Sequence, residues 1–378
     1  MSGSFETRLQ AARHEGDPAA DAVVADFARL PGGEGWRLLE AALENRGSDP
    51  SFSFENRGSD PSFSLEALLG PLREPPAWLD LELADAGAVA YWRVGAPMLF
   101  LTLTYGSLAF GYQSADLVRP LAATGRLERM APRRIAETSR WVAAVTAPGG
   151  MHPAAEGWQS SIRVRLVHAL VRRHLLESGE WDPEWGVPIS AAGGFATAIG
   201  GFFVVPMGAM RDLGVRFSPS EREAIAHLWR WIGYVMGVPE DLLPVSARQA
   251  EEHVDAALPH GGTPTEDSPR LMHALLYHGL NIGPASPLAA QLVGALSRRW
   301  MGHEMADRLE VPGARLSRLV PLMRPVTRAR DVVRATGLLG SDRRVAELEL
   351  ALVGRTLALR RAPQAPLDPS TAEAELTA

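Results

Sequence analysis

The chain has 378 residues with a 46% apolar share, enough to bury a large core as one big domain or two modest ones. It contains no cysteine, which excludes disulfides, thiolate nucleophiles, zinc fingers, iron–sulfur clusters, and thiolate-ligated or covalent c-type haem. All 38 basic residues are arginine, which excludes Schiff-base chemistry and a lysine-dependent phosphate loop, and the formal charge of −6 argues against a nucleic-acid partner.

The N-terminus, MSGSFETRLQAARHEGD, has no apolar h-region and no paired arginines, so it does not read as a secretory signal; a cytoplasmic location is the expectation. Ala, Leu, Arg and Glu dominate, and apolar residues recur at three- and four-residue spacing, which predicts an all-α fold. Short amphipathic helices are predicted at 5–14, 20–29 and 35–44. The segment ENRGSDPSFSF at 44–54 then recurs as ENRGSDPSFSL at 55–65. Two copies are too few for a solenoid, and their Gly, Ser, Asp, Asn and Pro content predicts a turn-rich surface loop without a chemical role.

Two runs carry no charge, Val94 to Ala115 and Trp185 to Met210. Each is long enough to span a bilayer, but their Gly, Ser, Thr and Pro content predicts fully buried helices that could wall an apolar pocket, and no transmembrane segment is expected. From 218 to 244 the signals are sharper. Ser218 or Ser220 can cap, Pro219 suits a first turn, Glu221 and Glu223 suit the positive end, and Gly237 and Pro239 terminate. Glu223 and His227, four apart, read as a helix-surface pair. Further helices are predicted at 246–256, 267–280, 286–305, 314–337 and 342–361. The chain thus divides into N-terminal helices with the duplicated loop (1–75), one large helical domain (76–361) and a disordered tail (362–378).

The chemistry-bearing pattern lies between Pro132 and His174. Arg165, His168 and Arg172 recur at three- and four-residue spacing, so on a helix they form one strip; Arg134 and Thr138 share a face of an earlier helix in the same way. An imidazole between guanidiniums resists protonation, and neutral imidazole is the metal-binding form. That makes His168 a candidate ligand. A core or surface role for the histidine, and a solvated face for the arginines, fit the same spacing.

Three blocks carry a resemblance: LAATGRLERMAPRRIAETSRWV (121–142), RVRLVHALVRRHL (163–175) and WRWIGYVMGVPEDLLP (229–244). In this order they resemble the rubber oxygenases of the latex clearing protein type and the related MpaB-type oxygenases. The resemblance covers about Ala90 to Pro244 well and the C-terminal third loosely. It implies a globin-like helical core holding haem b, with His168 as the iron ligand and Arg165 and Arg172 as cofactor-binding neighbours. It also implies Arg134 and Thr138 in the catalytic pocket, and dioxygen and a small apolar substrate as partners. Two positions depart from the family. Glu137 stands where some rubber oxygenases carry a lysine able to cap the iron, and YQSADLVRP (112–120) offers only Asp116 where they carry a distal glutamate. The lack of an export signal argues against rubber and for a small apolar or isoprenoid molecule. A haem protein without turnover, and a haem-free helical protein for an apolar ligand, are the alternative expectations.

Overall fold

The computed structural model describes residues 2–44, 61–123, 127–278, 286–338 and 340–359. Among these residues there is no strand, and the fold is all-α as expected. Four N-terminal helices come first: α1 (Ser2–Ala12), α2 (Pro18–Phe27), α3 (Glu34–Glu44) and α4 (Pro61–Arg73). The central set is α5 (Leu81–Trp92), α6 (Ala96–Gly111), α7 (Ala115–Ala123), α8 (Leu127–Val145), α9 (Glu156–Glu177), α10 (Ala191–Asp212) and α11 (Pro219–Val235). Six more complete the chain: α12 (Ala247–Ala257), α13 (Ser268–His278), α14 (Ser286–Met301), α15 (His303–Arg308), α16 (Met323–Ala335) and α17 (Asp342–Leu359).

One apolar core joins the N-terminal helices to the central set, running from Phe5 and Val23 through Trp92, Ile162 and Phe195 to Trp229 and Ile232. Helix α5 crosses α11 closely, because Gly87 lies against the Ala224 carbonyl where a β-carbon has no room. Helix α11 starts on Ser218. Its hydroxyl accepts from the Glu221 amide at 3.2 Å while the Glu221 carboxylate accepts from the Ser218 amide at 2.7 Å, a reciprocal cap. The same carboxylate holds buried Arg93 at 2.5 and 2.9 Å, so the cap also ties α11 to the end of α5.

The structure corrects three expectations. The second copy of the duplicated segment is not all loop: Pro61–Leu65 open α4, whose Leu65, Leu68, Leu69 and Leu72 recur at helical spacing and are buried. Residues 45–60 and the tail 362–378 lie outside the described residues. The charge-free runs form α6 and α10, but α10 is not fully buried, since Ala196 and Thr197 are exposed. Helix α10 is long and apolar enough to cross a membrane by length and composition, and half of its most apolar window is buried. Both helices widen to π geometry, over Thr102–Leu108 and Ala196–Val204, and the Ser107 hydroxyl donates to the Gly201 carbonyl between them. Finally, Glu223 and His227 do not pair. Glu223 accepts from the Ala247 amide at the start of α12 (3.0 Å), and His227 Nε2 accepts from the Asp80 amide at the start of α5 (2.9 Å). Free amides at helix starts are the stronger partners for both.

Candidate active site

The predicted strip forms on α9, with Arg165, His168 and Arg172 on successive turns. Its two arginines are fully engaged with α2. Asp17 caps α2 by accepting from the Ala20 amide (3.2 Å), and its carboxylate takes the Arg165 fork at 2.6 and 2.9 Å. Asp21, in the first turn of α2, accepts from Arg172 at 2.9 and 2.7 Å. Both acids sit at the positive end of the helix, which favours their charge. The remaining donors go to carbonyls: Arg165 Nη1 to Val235 (3.1 Å) and Arg172 Nη1 to Ile189 (2.8 Å). Gly237 ends the turn after α11 at φ +86°, and a β-carbon there would collide with the Asp17–Arg165 pair. The glycine of the third sequence block is therefore required twice, for its backbone and for its lack of a side chain.

His168 lies between these pairs. Its ring is well surrounded by protein but keeps some solvent access. Burial pushes its pKa down to about 4, with help from the charges of Arg172 and Arg134, while Asp17 opposes. The imidazole is neutral at physiological pH, as the like-charge expectation required. Burial is the larger cause, and the second cation is Arg134 on α8 rather than Arg165 on its own strip, whose charge Asp17 meets.

Arg134 is the other half of the site. Burial holds its pKa below the usual guanidinium value, while Tyr112 and Glu137 oppose. Among the described residues it makes no hydrogen bond or ion pair. Tyr112, at the end of α6, is buried next to it, and burial pushes its phenol up to about 12 against the pull of Arg134. Sequence reading missed Tyr112; its one signal was its place as the last aromatic side chain of a charge-free run. Tyr112, Arg134 and His168 thus converge from three helices, none with a hydrogen-bond partner among the described residues. None of their polar atoms is both buried and unpaired among the described residues, so the trio is open to solvent or to a ligand.

The other candidates lie differently. Thr138 is exposed one turn along α8 from Arg134. Glu137 is buried and held by Arg133 of the same helix at 2.7 Å. Asp116 pairs with Arg13 at 3.0 Å in a small recess lined by Arg119, Trp185 and Ile189. Neither carboxylate is free.

Haem fits the open trio on the chemistry of its donors. A neutral imidazole with uncommitted nitrogens could hold the iron, and a guanidinium without an ion pair would match an anionic carboxylate. Among the described residues no three His, Asp or Glu side chains converge on one point, so an iron held here needs a group that brings most of its own ligands.

A rubber oxygenase from Streptomyces sp. (strain K30) is 27% identical over 248 residues, covering 63% of this chain and 58% of that protein's length. A structure of the latex clearing protein LCP in the closed state superposes with a TM-score of 0.57 at 20% identity, covering 97% of this chain and 90% of that one; at that identity the likeness shows the fold. The model of the family described as ER-bound oxygenase mpaB/B'/rubber oxygenase, catalytic domain, matches residues 92–335, which contain Tyr112, Arg134 and His168. The chain belongs to that oxygenase family.

Proposed function

We propose that the protein is a haem b-dependent oxygenase that uses dioxygen on a small apolar, olefinic or isoprenoid substrate. The observation that carries this is the neutral, uncommitted His168 facing an unpaired Arg134 inside a family oxygenase domain. In this reading His168 would hold the iron, and Arg134 would pair with an anionic carboxylate of the cofactor. Bound haem supplies the iron at which dioxygen is activated. The chain's own residues bind and orient. Arg165 and Arg172, locked to Asp17 and Asp21, fix the rotation of α9 and hence the direction of the imidazole. The Tyr112 hydroxyl, neutral with its pKa near 12, stays a donor at all working pH values. Thr138 is exposed on the same face of α8 as Arg134, one turn along. The charge-free helices α6 and α10 supply the apolar surroundings that such a substrate prefers over water.

A second reading, haem binding without turnover, is favoured by one observation: Glu137 and Asp116, the carboxylates nearest in sequence to the family's distal positions, are both held by arginines. Oxygen-electrode and product measurements with olefinic isoprenoids separate the two. Consumption coupled to product supports the oxygenase; haem-loaded protein that consumes no oxygen with any of them supports the carrier or sensor.

A further inference from the structure

Helix α16 and the 3-10 turn before it, Leu316–Leu322, turn their apolar side outward. Leu319, Leu322, Val326 and Val333 recur at three-, four- and seven-residue spacing, so they form one stripe, and they are 54%, 69%, 73% and 42% exposed. Met323 and Val332 flank it and are exposed as well. The inward side carries Val320 and Thr327 together with arginines that reach neighbouring helices. Arg324 donates to the Asp212 carbonyl and carboxylate, Arg330 to the Val94 carbonyl, and Arg334 to Asp342 at 2.9 and 2.8 Å. A surface helix ordinarily does the reverse, burying its apolar stripe.

Charge follows the same pattern. Between 315 and 334 there are six arginines and one acid, Asp331, in a chain with a formal charge of −6. Arg315, Arg318 and Arg328 are exposed on the same segment and have no ion pair among the described residues. An exposed apolar row with unpaired cations on the same segment suits a surface that is apolar beneath and anionic on top. A bilayer of anionic lipids is such a surface: the row enters the acyl boundary while guanidiniums meet phosphates. A second copy of this chain fits less well, because a twofold contact through this face would set the same unpaired arginines against each other.

We propose that the α16 face, with Leu319, Leu322 and Val326 as its insertion row and Arg315, Arg318 and Arg328 as its phosphate contacts, docks the protein on an anionic membrane surface. The proposal is independent of the oxygenase reading, since none of these residues belongs to the Tyr112–Arg134–His168 trio.

The test is flotation of the full chain with phosphatidylcholine vesicles and with vesicles that also contain phosphatidylglycerol. Wild type is expected to float with the anionic vesicles and to lose that binding as salt rises. The triple substitution R315Q/R318Q/R328Q is expected to weaken it about a hundred-fold, at about five-fold per arginine. L322E/V326E is expected to abolish it. All five side chains are exposed, so melting temperature and far-UV dichroism should stay at wild-type values in both variants. Wild type that floats with neither vesicle overturns the proposal. So does binding that neither variant changes, and so does a wild-type dimer by light scattering that L322E/V326E converts to monomer, which would make this face an interface between copies.

Discussion

The two sides of His168 are built in opposite ways. Toward α2 every polar donor is committed: Arg165 to Asp17 and Val235, Arg172 to Asp21 and Ile189. Toward α6 and α8, Tyr112 and Arg134 stay desolvated and without hydrogen bonds among the described residues. All three arginines look alike in the sequence, yet two are structural ties and one is an unmet charge. What separates them is not spacing on a helix but whether a carboxylate arrives from elsewhere. The committed side gives rigidity, and the uncommitted side gives a place to bind.

The contrast can be broken by substitution. The largest effect is expected at Arg165→Gln. It strands the Asp17 carboxylate, whose side chain is 13% exposed, and loss of one partner of a buried pair costs about 3–5 kcal/mol. Urea denaturation measures it, and a loss under about 1 kcal/mol would show that the tie to α2 contributes little. The double variant with Asp17→Asn should recover part of the loss, because no charge is then left alone.

Next comes pH. The unfolded chain protonates this imidazole near its ordinary 6.5, whereas the folded chain does so only near 4. Protonation therefore favours the unfolded state between those values: stability should hold above about pH 6.5, fall toward pH 4, and level off below. The His168 contribution to that fall is on the order of 3 kcal/mol. Comparing wild type with His168→Asn isolates it, and parallel pH profiles for the two would remove His168 as a buried neutral group.

Arg134→Gln should behave unlike Arg165→Gln. Removing an unpaired, desolvated cation relieves a cost, so apo stability should stay the same or rise by about 1 kcal/mol, while retention of a carboxylate-bearing cofactor falls. A large apo destabilisation would mean that Arg134 already has a partner. Tyr112→Phe is the smallest change, expected within about 1 kcal/mol of wild type by thermal melting. A larger loss would place its hydroxyl in a hydrogen bond.

Much of this was legible beforehand. The helices at 219–235 and 247–257 begin within a residue or so of where caps and prolines predicted them, because those signals are local. The strip on α9 was legible for the same reason. Its ties were not: Asp17 is 148 residues from Arg165, and in DPAADAVVADF Asp17 and Asp21 look like an ordinary cap and first-turn acid. The π widening of α6 and α10 left no mark that periodicity could read. The start of α4 inside the duplicated segment was hidden by turn-forming residues that outweighed its leucine spacing. Tyr112 was passed over because an aromatic in an apolar run is most often core. Only the nearby Arg134 charge gives it another meaning.

The central claim is that His168 is a ligand kept free for iron. Haemin titration followed by absorption, on wild type and His168→Ala, tests it directly. The account predicts a stoichiometric Soret band for wild type, and for His168→Ala a weak or shifted band that added imidazole restores. A wild type that takes up no haemin, or a His168→Ala spectrum identical to wild type, would contradict it.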